Sequence, residues 1–286
     1  MSSTDITTKF LPVALGIVML GLGLSLTLDD FKRVVQYPKA VITGLICQML
    51  VLPAVCFLLC KGMGLAPVLA VGLMLLSASP GGATANLYSH LSRGDVALNI
   101  TLTAVNSLLT IFTIPVIVNL SLAHFMGTEQ YIPLQFKKVL EVFAIVLVPV
   151  SIGMMINKRF PEFAKKMEKP VKIASALVLL LVIAGAVLKE KENIKSYFAQ
   201  VGMAALLFNL LSLGVGYFAP KLLRLPERQN IAIAMEIGIH NGTLAIYIAM
   251  NALQNSAMAI PPAVYSLIMF FTAALFGWLI NLGRKE

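Results

Sequence analysis

Two stretches of this chain hold the residue types that could do chemistry, and both lie inside apolar runs. The first reads Ser77-Ala78-Ser79-Pro80-Gly81-Gly82-Ala83-Thr84-Ala85-Asn86. The second reads Glu236-Ile237-Gly238-Ile239-His240-Asn241-Gly242-Thr243. Glu236 directly follows Ile231, Ala232, Ile233, Ala234 and Met235. A carboxylate at that depth in a membrane helix costs about 3 kcal/mol or more unless it is paired or protonated. No Lys or Arg lies in the core of its own segment or of the first stretch. The missing countercharge is therefore a bound cation or a proton. A protonated Glu236 in a helix–helix hydrogen bond is the structural alternative.

Other polar groups lie in the same apolar context. Asn99, Thr103, Asn106 and Thr110 fall at i, i+4, i+7 and i+11 and share one helical face. They read either as ligands or as interhelical hydrogen-bonding glue. Gln48, before Pro53, is an isolated intramembrane amide with the same two readings. Together these are hard oxygen donors, which suit hard cations better than transition metals. A single carboxylate with neutral oxygens favours a monovalent ion such as Na⁺, because Mg²⁺ or Ca²⁺ normally recruits more negative charge. Half-helices that restart after a break point positive dipole ends at the gap, which suits an anionic substrate.

Competing chemistries find less support. An intramembrane enzyme needs a nucleophile–base pair or a ligand cluster, but no HExxH occurs and His90, His124 and His240 are scattered. His90 is placed near the inner end of the third segment and His124 in an outer loop. Cys47, Cys56 and Cys60 share one apolar segment without metal-ligand spacing and read as buried free thiols. A passive channel would usually present a pore-lining repeat or charged ring.

The elements that must position these groups follow from composition. The chain has 286 residues, 58% hydrophobic and 12% charged, with a mean hydropathy of +0.88. Soluble domains carry about 25% charged residues, so a soluble enzyme, a disordered tail and a fibrous protein are excluded. Nine apolar segments are read, near 10–28, 38–60, 65–91, 95–120, 135–156, 169–188, 197–222, 229–252 and 261–282, the third and eighth interrupted. Hydrocarbon cannot satisfy backbone polar groups, so these are helices. The apolar run from Phe10 is long enough to stay as a span, and no A-x-A site marks a signal peptide. With the N-terminus outside, 15 of the 22 Lys and Arg residues fall on the inner side and 7 on the outer. That bias makes the net charge of +9 topogenic, with no nucleic-acid partner implied. If a first helix is missing, the interrupted segments are the fourth helices of two five-helix repeats, the pattern that marks a midplane transport site.

Pro80-Gly81-Gly82 with Asn86, paired with Glu236-x-Gly238-x-x-Asn241, resembles the bile acid:sodium symporter family. The match runs from Gly21-x-Gly23-x-x-x-Thr27 and Asp30-Phe31 to the last helix. The resemblance implies an all-α polytopic membrane protein with nine helices and an inverted repeat, its two broken helices crossing in a core. The core would comprise about 38–120 and 197–282, and a panel about 10–28 and 135–188. It implies one or two Na⁺ ions. The first site would use Asn86, Asn99, Thr103 and Glu236, with Ala85 through its backbone at most. The second would use Gln48, Glu236, the carbonyls of Ile237 and Ile239, and the side chain of His240. Substrate candidates are Thr84, Asn86, Asn241 and Gly242. Many bacterial members have Ser at the positions of Ala85 and Asn99, and the family usually has Gln at that of His240. A neutral imidazole can coordinate a cation, whereas an imidazolium repels one. Acid pH is therefore expected to depress transport more steeply here than in a His240→Gln variant. The overall expectation is a sodium-coupled symporter of an organic anion, a bile acid or small carboxylate, in a bacterial inner membrane. A proton-coupled or uncoupled organic-acid carrier is the alternative.

Overall fold

Apolar runs of this length satisfy their own backbone only as helices or closed barrels. In the computed structural model, which describes residues 3–82, 84–127, 136–189, 192 and 194–282, they are helices, and the described residues include no β-strand. Helix α1 (Ser3–Ser25) bends by 61° into α2 (Leu28–Gln36). Helix α3 (Pro38–Gly62) contains a π turn at Cys47–Val51. The third segment is two pieces, α4 (Pro67–Ala78) and α5 (Ala85–Leu91). Then come α6 (Val96–Met126), α7 (Phe136–Arg159), α8 (Pro161–Lys189) and α9 (Ile194–Leu222). The eighth segment is also two pieces, α10 (Glu227–Gly238) and α11 (Gly242–Ala252), before α12 (Ile260–Leu282).

Among the described residues, five helices are long and apolar enough to cross a bilayer, or six if the bent α1–α2 pair is one span. The outward face of α12 carries Phe271, Leu275, Trp278 and Leu282 at helical spacing, all exposed. Asn99, Thr103, Asn106 and Glu236 are instead fully buried. Apolar outside and polar inside is the pattern of a lipid-embedded bundle. Helix α1 packs along α7 and α8, while α9 packs on α10 and α12, and α4 on α6. Gly23 permits the α1–α7 contact, since a Cβ there would overlap the backbone of Val150.

Three features differ from the sequence expectation. The link from 28 to 38 is helical: the Asp30 carboxylate accepts from the Thr27 N–H at 2.6 Å and hydroxyl at 2.7 Å, capping α2. His124 lies in the last turn of α6 rather than in a loop, with its ring 4.7 Å from that of Phe57 and 5.0 Å from that of Phe125. The sixth helix starts at Pro161, eight residues early, because proline suits the first helical turn. The three cysteines are free and buried, as expected. Of the cations counted for orientation, Lys191, Arg284 and Lys285 lie outside the described residues, as does Ala83 of the first stretch.

Candidate functional site

The site begins with two helix ends. Pro80 has no N–H to donate, and a residue before proline avoids helical angles, so α4 stops at Ala78 and Ser79 is extended. Helix α10 stops at Gly238. The two breaks cross, and their backbones pair there. The Gly82 N–H donates to Ile239 O at 2.7 Å, and the Asn241 N–H to Pro80 O at 2.9 Å. Gly81 and His240 thus form a one-residue antiparallel bridge. Beyond the crossing, the side-chain oxygen of Asn241 caps α11 by accepting from Leu244 N at 3.0 Å.

Breaking a helix in hydrocarbon strands carbonyls, and side chains meet them here. Gln48, in the π turn of α3, donates its amide to Ser79 O at 2.9 Å and Ser77 O at 3.2 Å. At the other break, Asn209 donates to Gly238 O at 2.9 Å, and the Tyr265 hydroxyl donates to the same oxygen at 2.9 Å. His240 Nδ1 lies 3.2 Å from Ser79 O. A carbonyl only accepts, so Nδ1 carries the hydrogen and Nε2 holds a bare lone pair, a tautomer assigned from the partner. Phe208 stacks on the imidazole and Tyr265 meets it edge-on.

Glu236 is fully buried beside the crossing. Its Oε2 accepts from the Thr103 hydroxyl at 2.6 Å, while Oε1 has no partner among the described residues. Gly81 abuts this carboxylate so closely that any Cβ would overlap it. Asn99 donates its amide to Ala232 O at 2.7 Å, which leaves its oxygen over. The oxygens of Gln48, Asn86 and Asn99, Oε1 of Glu236 and Nε2 of His240 are all buried without a hydrogen-bond partner. Each such orphan costs about 1–3 kcal/mol. All five are lone-pair acceptors, four of them hard oxygens, and one bears a formal charge. The described salt bridges, Lys32–Asp29 and Arg33–Asp30, lie elsewhere. A hard monovalent cation is the partner this donor set fits.

The other candidates take more committed positions. The Ile239 carbonyl is used in the crossing, though a carbonyl has a second lone pair. Ile237 sits in the last turn of α10. Thr84 is half-buried just before α5, and Gly242 starts α11 against the Ser266 side chain. Asn106 is buried with both amide atoms unpaired, while Thr110 bonds back to Ser107 O within its own helix, a bond that is not interhelical. Asn209, Tyr265 and Phe208 were not singled out in the sequence. Asn209 could have been, since a lone amide within Leu206-Leu207-Phe208-Asn209-Leu210-Leu211 is the signal that marked Gln48. An aromatic such as Tyr265 in an apolar helix carries no signal.

The chain is similar over most of its length to several known proteins. The family model described as Sodium Bile acid symporter family matches residues 12–197. The chain is 28% identical over 262 residues to Probable sodium/metabolite cotransporter BASS2, chloroplastic, of Oryza sativa subsp. japonica, covering 91% of this chain but 61% of that protein. It is 28% identical over 260 residues to Uncharacterized sodium-dependent transporter YocS of Bacillus subtilis (strain 168), covering 91% and 79%. It is 23% identical over 275 residues to the ileal sodium/bile acid cotransporter of Oryctolagus cuniculus, covering 95% and 78%.

Proposed function

The chain belongs to the sodium bile acid symporter family, and we propose that it carries an organic anion across a cell membrane together with Na⁺, by alternating access. The observation that carries this reading is the set of unpartnered buried acceptors, Glu236 Oε1 among them, on the two broken helices and on the helices bonded to them. The names of its relatives, which include sodium/metabolite and sodium/bile acid cotransporters, agree with it.

In this reading each break counts as one span, giving nine, with the N-terminus outside and the C-terminus inside. Helices α1, α7 and α8 form the panel and the rest form the core, a division that fits the packing of α1 against α7 and α8. One Na⁺ takes Asn86, Asn99, Thr103 and Glu236. A second takes Gln48, Glu236, His240 and the carbonyls of Ile237 and Ile239. Gln48 and His240 both donate to Ser79 O, so their unpartnered atoms belong to groups anchored on one carbonyl. Bound Na⁺ neutralises Glu236 and ties α3, α6 and both breaks together. The anion then meets the half-helix starts at Thr84, Asn86, Asn241 and Gly242. Since coupling between ligands is reciprocal, Na⁺ tightens anion binding as much as the anion tightens Na⁺ binding. The chain's role is transport, with no reaction catalysed.

A thermal-shift screen of organic anions in Na⁺ or K⁺ tests the reading. Stabilisation that requires both Na⁺ and one class of anion is expected, about 3 kcal/mol at a hundredfold excess over Kd. Equal stabilisation in K⁺ refutes sodium coupling, and uptake driven in Na⁺-free buffer by a proton gradient selects the proton-coupled alternative. For His240, uptake by wild type and His240→Gln is compared between about pH 5.5 and 8. A steeper acid loss in wild type is expected; superimposable profiles remove His240 from the ion site.

A further inference from the structure

A cavity lies away from the crossing, with Lys32 and Lys158 in its lining. Its volume is about 630 Å³, within the range of small-molecule sites. It opens between the start of α2, with Leu28, Asp29 and Lys32, and the end of α7, with Met154, Met155 and Lys158. Neither broken helix contributes to its lining, so it is separate from the proposed ion and substrate site.

Its chemistry is amphipathic. Leu28 and Met155 are 58% and 62% exposed, although each is a full-size apolar side chain. Val35, one further helical repeat along the same face of α2, is 83% exposed, whereas Asp30 on the opposite face is buried. A helix with apolar residues outward and a carboxylate inward is not arranged to face water; it is arranged to lie in the boundary layer of a bilayer. The bend of 61° at its start turns it away from the line of α1, as that position requires. Two ammonium groups, Lys32 and Lys158, flank the apolar floor. Lys158 has no ion-pair partner among the described residues. Lys32 pairs with Asp29 at 2.8 Å, but both side chains are about three-quarters exposed, so this pair is weak and exchangeable. Asp29 is the one acidic group lining the cavity. Past Lys158 the corner into α8 continues the theme, with Phe160, Phe163, Lys165 and Lys166 all exposed.

We infer that this cavity is a binding site for an anionic phospholipid of the surrounding bilayer. The headgroup phosphate sits between Lys32 and Lys158, and an acyl chain lies over Leu28, Met154 and Met155. A basic pocket at the boundary of a helix bundle recognises such headgroups by charge, while the apolar floor recognises the chain. The site would hold the α1–α2 bend to α7, the joint between the proposed panel and core. The inference requires the membrane reading but neither the identity of the ion nor that of the transported anion.

Native mass spectrometry of the purified full chain, titrated with phosphatidylglycerol and with phosphatidylcholine, tests it. Two lysines at usual interfacial strength give phosphatidylglycerol an advantage of about thirtyfold. The pair Lys32→Ala and Lys158→Ala should bring the two lipids close to equality, while Lys32→Arg with Lys158→Arg should keep the preference. Lys165→Ala with Lys166→Ala, which removes nearby charge outside the cavity, should leave it largely intact. Met155→Trp fills the cavity without changing charge and should also abolish the preference, a readout that survives if the double alanine variant fails to fold. Equal binding of both lipids by wild type, or a preference untouched by Met155→Trp, overturns the assignment. Displacement of the lipid by a water-soluble bile acid as effective as phosphatidylglycerol itself would overturn it too, showing that the cavity takes a soluble amphipathic anion.

Discussion

At the scale of single residues, Glu236 organises the centre of the molecule. It is buried, accepts one hydrogen bond from Thr103 and leaves the other oxygen bare. Glu236→Ala should abolish Na⁺-dependent uptake and Na⁺-dependent stabilisation together, and unchanged uptake in sodium buffer would refute the proposed site. Thr103→Val removes a hydrogen bond to a charged group worth about 1.5–3 kcal/mol. It should therefore raise the Na⁺ concentration for half-maximal uptake roughly tenfold or more, with a smaller change in maximal rate. Gly81→Ala should resemble Glu236→Ala, because its Cβ would overlap the carboxylate. Normal transport by that variant would mean the crossing relaxes more easily than its packing allows.

At the scale of elements, the two breaks survive because amides from other helices take up the stranded carbonyls. Gln48 serves α4, and Asn209 with Tyr265 serves α10. Asn209→Ala leaves Gly238 O with Tyr265 alone and also strips a partner from Thr272. Its expected cost is about 1–3 kcal/mol, read as a lowered melting temperature. Tyr265→Phe should cost less, and the two changes together should cost more than their sum, since both donors serve one oxygen. Strict additivity would refute that coupling. Helix α2 is the element that local pattern did not reveal. Its apolar residues are spaced like those of a buried face, but Leu28 and Val35 point outward and Asp30 points in. Its bend is explained only by tertiary and capping contacts: Asp30 caps Thr27, α2 packs on α6, and Asn157 of α7 donates to Leu26 O at 3.0 Å in the link between α1 and α2.

For the whole molecule, the proposed division between a panel of α1, α7 and α8 and a core of the remaining helices is where motion would be read. Gly23 brings α1 against the Val150 backbone, so Gly23→Leu should loosen the panel and lower the melting temperature. The local hydrogen bonds of the distant crossing should remain, so residual Na⁺ stabilisation is expected in this variant. Its complete loss would show that panel and core do not behave as separable bodies.

The sequence by itself determined the membrane habit, the rough limits of most apolar segments, the two interruptions and the exceptional position of Glu236. Each of these is local: twenty apolar residues, a proline with two glycines, or a carboxylate among isoleucines and alanines can be read without knowing what lies opposite. The family likeness rested on the same local motifs. Only the tertiary structure decided which polar groups are spare. Asn99 and Thr110 share one helical stripe, yet Asn99 keeps a buried oxygen free while Thr110 bonds back to its own helix. Gln48 and Asn209 look alike in sequence, but Gln48 is left with an open oxygen, whereas Asn209 gives its own to Thr272. A side chain is free to bind an ion only after every donor and acceptor packed around it has been assigned. That accounting depends on contacts between residues more than a hundred positions apart, such as Thr103 with Glu236.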